Sequence, residues 1–419
     1  MIKIKQEFEA ENLFYLGVLI LFGNGAVSHV LGSVGRYGAL ALGFGLICFS
    51  AIVRMRRSPN GNYLMLPIIG SLYCGVLLMN SMIQQQSTVG GSIPIIFSMV
   101  IVALFIAGYF MGLSSPVESQ RPSGRLAGLF AILAGISTFG YIGFVKAVTF
   151  QGGSRDLDTG NPVGIAYIFT VFLMVLLYLI LTHRILWVRF ACVFAASMAG
   201  LVVVTTGSRG AVLSGTLAII VIGAGGLITR QVKLKLKTVS LGLFFVLVAG
   251  ALLTYLVQTN YAIGERLDFM VKRFENVYRT LLGQSSDMST MGRLHRYNSY
   301  LQTIDQWILN GEKGYSGYPH NQWLECLVRF GLLGVPLLGL SIYTFIRTSW
   351  FTFLSRQVKC LEWYLFALIF FFSYCQSMTS LSLEINRSLW LSMGFLVGYD
   401  YRVRRMGQLA NEPNRSMAR

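Results

Sequence analysis

Residues 163–181 read VGIAYIFTVFLMVLLYLIL, an uninterrupted apolar run without a charged side chain. A helix rises about 1.5 Å per residue, so about 20 apolar residues are enough to cross a hydrocarbon core of about 30 Å. A strand of a soluble sheet is much shorter, and the run has no alternation of polar and apolar positions. It therefore predicts a transmembrane helix.

Similar apolar runs recur along the rest of the chain. The predicted spans are Leu13–Val27, Tyr37–Val53, Leu64–Met82, Ile93–Leu113, Leu126–Val148, Val163–Leu181, Ile185–Thr206, Ala211–Ile228, Val239–Val257, Leu324–Ile346, Leu361–Leu381 and Leu389–Tyr399. No separate soluble domain is evident between them. The pattern predicts an all-α polytopic membrane bundle of about twelve spans, with residues 1–419 forming a single integral membrane domain.

Composition supports the membrane class. Of the 419 residues 54% are hydrophobic and 12% are charged, whereas a soluble domain carries about 25% charged residues. The net charge of +17 is spread over short loops between apolar runs and forms no single basic patch, so nucleic acid is not a predicted partner. The six cysteines lie in or beside apolar runs without metal-ligand spacing and are interpreted as small buried hydrophobic residues.

The distribution of lysine and arginine predicts the orientation. Alternate short loops carry basic clusters, such as Arg54, Arg56 and Arg57, whereas residues 84–92 on the opposite side carry no charge. Because basic loops remain cytoplasmic, both termini are predicted to lie in the cytoplasm. The opposite loops are then predicted to lie outside the cytoplasm.

One predicted outer loop, residues 258–319, is about 60 residues long, and long loops without a function are uncommon. Two stretches within it have helical apolar spacing and are predicted to be amphipathic helices on the membrane surface or on the bundle. The first comprises Ile263, Leu267, Met270, Val271, Phe274, Val277, Tyr278 and Leu281. The second places Leu294, Tyr297, Leu301, Ile304 and Ile308 on one face.

Three residues at this predicted face combine unusual location with useful chemistry. Arg209 lies between two apolar runs, Arg293 begins the second amphipathic stretch, and His320 stands where the long loop re-enters the membrane. Each has an ordinary explanation: snorkelling towards lipid phosphate, a solvated helix face, and a structural histidine. Together they suit a diphosphate and a hydroxyl, because arginine binds phosphate oxygens bidentately and histidine accepts a proton near neutrality.

Several short motifs resemble the O-antigen ligase and polymerase superfamily. His320-Asn321, nine further residues, and then Gly331-Leu332-Leu333-Gly334 are similar to its His-Asn-x9-Gly-x-x-Gly signature, and Glu325 suits the same run. Ser208-Arg209-Gly210 and Gly292-Arg293-Leu294 precede it in the expected order. Asn161-Pro162-x-Gly164-x-Ala166 resembles another segment of the family.

The resemblance implies a GT-C-like fold and a metal-independent, inverting glycosyltransferase that needs no cofactor. Its donor would be an undecaprenyl-diphosphate-linked glycan, and its acceptor lipid A–core or a second glycan, within surrounding membrane lipids. Arg209 and Arg293 would hold the diphosphate, and His320 would be the general base. The secondary candidates for substrate binding are Arg155, Arg296, Tyr297, Asn321 and Glu325.

Alternative functions remain open at this point. O-antigen ligase is favoured over polymerisation of repeat units, although no motif separates the two acceptors. A transporter or flippase would place its ionisable residues near the bilayer midplane. The residues singled out here lie at the outer ends of the spans, and among them only Glu325 and Arg329 lie deeper. That pair, four residues apart on a predicted helix, is expected to neutralise its own charge, with orientation of His320 as the alternative role for Glu325.

Overall fold

The computed structural model describes residues 62–85, 94–115, 162–183, 185–206, 208–229, 261–283, 288–315, 319–355, 359–380 and 386–416, with isolated positions elsewhere. Within these ranges the chain is helical apart from turns, and they contain no strand. The all-α prediction is therefore confirmed for this part of the chain. Arg155 and almost all of the predicted spans at 13–27, 37–53, 126–148 and 239–257 lie outside the described residues.

The helices follow the predicted apolar runs closely. In chain order they are α1 (Asn62–Ile83), α2 (Pro94–Ser114), α3 (Pro162–Thr182), α4 (Leu186–Thr205), α5 (Arg209–Ile228), α6 (Tyr261–Leu281), α7 (Met288–Gln302), the single turn α8 (Ile304–Trp307), α9 (Gln322–Phe330), α10 (Val335–Phe353), α11 (Leu361–Ser377) and α12 (Arg387–Ser416). A 3-10 turn, Gly331–Gly334, joins α9 to α10.

Among the described residues, four helical stretches are long and apolar enough to cross a membrane: Val163–Thr182, Leu186–Val204, Arg209–Ile228 and Gln322–Phe353. On α5 only 33% of the apolar window is buried, and large side chains such as Leu213 and Ile220 lie on its surface. A soluble protein rarely exposes so large an apolar surface. The chain is accordingly a helical membrane protein.

Contacts between helices define two ends of the bundle. At one end, the first turns of α5 and α9 meet the last turn of α11, through Ser214, Gln322, Gln376 and Ser377. We call this the His320 end. At the other, which we call the Asp400 end, α10 and α11 meet at Phe351 and Trp363, and Arg347 of α10 contacts Asp400 of α12.

Helices α2 and α12 run parallel and touch through their backbones. A Cβ atom on Gly108 or Gly112 would lie 2.0 or 2.1 Å from the carbonyl oxygen of Leu391 or Phe395. Reciprocally, a Cβ on Gly394 would lie 2.1 Å from the Phe105 carbonyl oxygen. Glycine on both helices removes the side chains that would hold them apart, as at small-residue interfaces in membranes. Helix α12 is thereby seated in the bundle and extends to Ser416, well beyond the predicted span Leu389–Tyr399.

The predicted span Leu324–Ile346 lies within the apolar stretch Gln322–Phe353, but it is not one continuous helix, because the chain folds back within it. Gly331 adopts φ +58°, and a Cβ there would lie 2.3 Å from the Leu309 carbonyl oxygen. A Cβ on Gly334 would lie 2.1 Å from the Cys326 carbonyl oxygen. The amide of Gln322, at the start of α9, donates to the Ser341 hydroxyl of α10 (3.2 Å). The two glycines of the motif therefore form the turn of a short helical hairpin, and α10 with its 19 residues remains as the crossing part.

The long loop contains the two predicted helices, with one correction. The first stretch is helical over α6. The second is interrupted at Thr303, and the predicted apolar face is divided, because Leu294, Leu301 and Ile304 are exposed. The side chains that are buried after this break belong to a small cluster of Trp307, Tyr315 and Val328, against which Tyr300 and Ile308 pack.

Candidate functional site

The histidine of the signature is held by an unusual backbone at the start of α9. His320 adopts φ +59°, in the left-handed region that non-glycine residues seldom occupy. Asn321 follows as the N-cap, and its Oδ1 accepts hydrogen bonds from the amides of Trp323 (3.0 Å) and Leu324 (3.1 Å). Asparagine is a preferred N-cap because it satisfies these free helix donors. The predicted substrate ligand Asn321 thus has a structural role, and it fixes where His320 stands.

Helix α7 packs beside His320 through one face. The Tyr297 hydroxyl donates to the His320 carbonyl oxygen (3.4 Å), and Arg293 lies one turn earlier on the same face. Arg293 and Tyr297 are half-buried, whereas Arg296 is exposed. The Trp307 indole nitrogen donates to the Tyr300 carbonyl oxygen (2.9 Å), which ties the end of α7 to the loop below. Three predicted site residues are therefore brought together with His320.

Burial and two nearby arginines both disfavour a charged imidazole at His320. The pKa of the His320 imidazole is lowered to about 4, mainly by burial and in addition by the positive charges of Arg293 and Arg296. Burial also raises the pKa of the Tyr297 hydroxyl, against which Arg293 acts. At neutral pH the His320 imidazole is uncharged and can accept a proton. The surroundings suit a bound anion, which would offset the arginine charge.

Arg209 is the first residue of α5 and is half-buried. Its neighbour Gly210 packs closely on α11, where a Cβ would lie 3.1 Å from Gln376 Oε1 and 3.1 Å from Ser380 Oγ. Gln376 in turn accepts a hydrogen bond from Ser214 (3.4 Å). This close approach, which an added Cβ would crowd, brings the backbone next to Arg209 close to the end of α11.

A buried polar track connects Arg209's surroundings to the helix that follows His320. Gln376 is succeeded by Ser377, whose hydroxyl donates to Gln322 Oε1, and Gln322 is the first residue of α9. Gln322, Gln376 and Ser377 are each at most 1% exposed. The track places the Arg209 end of α5 and the His320 end of α9 at the same level of the bundle.

Glu325 is fully buried, and its contacts are with the protein. Its Oε2 accepts a hydrogen bond from the Leu383 amide (3.0 Å), and its Oε1 accepts one from the Tyr315 hydroxyl (3.4 Å). Arg329 lies 3.9 Å away as an ion pair within α9, and its guanidinium covers the Tyr315 ring at 5.4 Å. The predicted internal pair is confirmed. Glu325 joins α9 to the long loop and to the segment before α12, so we assign it no substrate contact.

The polar track was absent from the sequence-based site. Gln376 was nevertheless recognisable as an uncharged polar residue in an apolar run, where such residues are expensive and often functional. Gln322 follows His320-Asn321 directly and could have been grouped with them. Within the described ranges, no three His, Cys, Asp or Glu side chains are close enough to hold a metal ion.

The fold and this cluster define a class of protein: a helical membrane protein with a cationic, histidine-containing site at one end of its bundle. In comparisons with family models, curated proteins and solved structures, no family, relative or structure matches the chain. A narrower assignment therefore depends on the site itself.

Proposed function

We propose that the chain is a glycosyltransferase of the O-antigen ligase type. It would move a glycan from an undecaprenyl-diphosphate carrier to a hydroxyl of lipid A–core. The main support is the packing of α7, which bears Arg293, against His320 through the Tyr297 hydroxyl, at the end of the bundle where Arg209 also lies. A base and a diphosphate site are the two things that this reaction requires.

In the proposed reaction, the acceptor hydroxyl gives its proton to His320 as its oxygen attacks the anomeric carbon. The bond from that carbon to the diphosphate oxygen breaks, and undecaprenyl diphosphate leaves. Arg209 and Arg293 stabilise the negative charge that develops on the leaving group, since fixed arginines in a partly dehydrated site act more strongly than in water. The diphosphate charge also raises the pKa of His320, which makes the imidazole a stronger base once the donor is bound.

The proposed architecture is a GT-C-like bundle of about twelve spans in the bacterial inner membrane. Both termini would be cytoplasmic, and the His320 end would face the periplasm. In support, the basic residues Arg347, Lys359, Arg402 and Arg404 lie towards the Asp400 end, the end expected in the cytoplasm. Transporter sites typically lie near the bilayer midplane, whereas the residues of the proposed site lie towards one end of the bundle. We therefore rank transport below glycan transfer.

The test uses purified protein in lipid vesicles, with lipid-linked glycan and lipid A–core supplied together. We expect a glycan–lipid A conjugate and stoichiometric undecaprenyl diphosphate, and neither product from an Arg209→Ala variant. Longer lipid-linked glycan without conjugate would assign the same site to a polymerase, the second candidate from the motifs. If the donor is not consumed with either acceptor, the transferase proposal is wrong.

A further inference from the structure

The Asp400 end carries a second arginine cluster that the proposed reaction does not use. Asp400 is buried, and it accepts hydrogen bonds from Arg347 Nε (2.9 Å) and from the Tyr343 hydroxyl (3.1 Å). Arg347 Nη2 and Arg404 Nη2 also approach its carboxylate, at 2.9 Å and 2.7 Å. Two guanidinium groups thus share one carboxylate, which leaves the cluster with a net charge of one positive unit.

The cluster retains the capacity to bind another anion. A guanidinium group has five N–H donors, of which Asp400 and Tyr343 use only some. The Arg404 side chain is 50% exposed and that of Arg347 is 30% exposed, whereas that of Asp400 is 8% exposed. The carboxylate therefore lies inside and holds the two arginines in place, while both arginines remain accessible. This is a preorganised arrangement for phosphate oxygens.

The surroundings match a membrane lipid better than a soluble anion. Between α10, α11 and α12 lies a narrow groove with about 10 Å³ of space, room for about one water molecule, so a lipid would bind over its mouth and not inside it. Its lining combines the charged pair with apolar side chains and consists of Tyr343, Thr344, Arg347, Thr348, Phe351, Trp363, Leu396, Val397 and Asp400. Phosphate oxygens would meet the exposed parts of the two arginines, and methylene groups would meet the exposed side chains of Ile346 and Trp350 on α10.

Aromatic residues place this cluster at the depth of lipid headgroups. Trp350 on α10 is 54% exposed, and Tyr343 and Tyr401 are exposed beside the arginines. Tryptophan and tyrosine concentrate at the membrane–water interface because their rings are apolar and their N–H or O–H groups are polar. The Arg347 guanidinium lies over the Phe351 ring at 4.6 Å, which keeps it near the apolar wall.

We propose that the surface of α10 and α12 around Arg347 and Arg404 binds an anionic phospholipid, with these two arginines as ligands of its phosphate. Asp400 positions both arginines and competes with the lipid for them. The site is independent of the glycan-transfer chemistry, because it lies at the opposite end of the bundle from His320.

The experiment counts lipids bound to the purified full-length chain by native mass spectrometry. Phosphatidylglycerol is titrated against phosphatidylcholine of the same acyl chains. We expect the wild type to prefer phosphatidylglycerol roughly tenfold, as two arginines at a membrane surface predict. Equal binding of the two lipids would overturn the proposal. Competition by glycerol phosphate at concentrations equal to the lipid would do so too, because it would indicate a site for soluble anions.

The decisive variant is Asp400→Asn with Arg347→Gln and Arg404→Gln. It removes all three charges together, so that no carboxylate is left buried without its partners. This variant should lose the preference, and Asp400→Asn alone should keep or increase it. The control, Lys272→Gln with Arg279→Gln, removes two exposed charges from α6 and should leave the preference unchanged. Retention of the preference in the triple variant, or its equal loss in the control, would contradict the assignment.

Discussion

The two ends of the bundle both gather arginine, but they balance its charge differently. At the Asp400 end, Arg347 and Arg404 share the Asp400 carboxylate at 2.9 Å and 2.7 Å. At the His320 end, the charges that act on the imidazole come from arginine, and Arg293 forms no ion pair with a carboxylate in the described ranges. Like charges held together in a partly buried site cost free energy. Part of the arginine charge at the Asp400 end is thus offset by a carboxylate of the protein, whereas at the His320 end an incoming anion would have to offset the charge of Arg293.

The largest effect should follow from loss of the base. His320→Ala should lower the rate of glycan transfer about 10³-fold, in the range that general base catalysis contributes. His295→Ala is the matched control, because His295 is exposed on the adjacent helix α7, and its rate should stay within about twofold of wild type. Equal activity of the two variants would remove His320 from the chemistry.

The next largest effect should follow from replacing Arg293, whose charge is not offset by a carboxylate in the described ranges. Arg293→Lys should lower kcat/KM about 10²-fold, because a lysine cannot form the bidentate contact with a diphosphate. Arg279→Lys provides the comparison, since Arg279 is exposed and paired with Glu275. Steady-state transfer kinetics on both variants measure the difference. Full activity of Arg293→Lys would indicate that only surface charge matters.

Breaking a buried ion pair should destabilise the protein more than breaking an exposed one. Glu325→Gln leaves Arg329 charged at 0% exposure and should cost about 3 kcal/mol in the free energy of unfolding. Glu275→Gln breaks the exposed pair and should cost less than about 0.5 kcal/mol. Denaturant unfolding in detergent provides both values. Similar values for the two variants would refute the anchoring role of Glu325.

The turn between α9 and α10 allows a matched glycine test. Gly331→Ala should destabilise the protein by about 2 kcal/mol, because its φ is positive and its Cβ would meet the Leu309 carbonyl oxygen. Gly339→Ala, in a helix with nothing within 4 Å of the added Cβ, should be neutral or slightly stabilising. Thermal unfolding measures both. A stable Gly331→Ala variant would contradict the hairpin.

The smallest effect is a shift in pH dependence. Uncharged His320 is the active form, so kcat/KM should fall only as the pH drops towards about 4. Arg293→Gln removes one of the charges that disfavour the imidazolium, and the acid limb should move upwards by up to about one pH unit. A wild-type limb near the ordinary histidine value, unmoved by the variant, would show that the arginines do not act on His320.

The sequence predicted the helices better than their interruptions. Apolar runs locate α3, α4 and α5 almost to the residue, because lipid-facing helices need continuous apolar character. The break at Gly331 was missed, since both helices that flank it are apolar and the reason for the break is the Leu309 carbonyl oxygen, a contact between distant segments. The parallel packing of α2 on α12 depends likewise on glycines far apart in the chain.

The sequence predicted the charged residues of the candidate site, but it did not predict the buried polar residues that connect the helices around it. Arg293 and His320 are conspicuous because charge is rare in this sequence, and the structure brings their helices together. Gln322, Gln376 and Ser377 connect α5, α9 and α11, and such a track depends on which helix ends meet. Spacing along one chain does not contain that information.

Under the proposed function, Arg209, Arg293 and His320 serve one diphosphate site. The most direct measurement is an electron cryomicroscopy structure of the full-length protein with undecaprenyl diphosphate bound. We expect phosphate oxygens at hydrogen-bonding distance, about 3 Å, from the guanidinium groups of both Arg209 and Arg293. The His320 imidazole should face the same cavity. A diphosphate bound at another location, or contacted by only one of the two arginines, would contradict it.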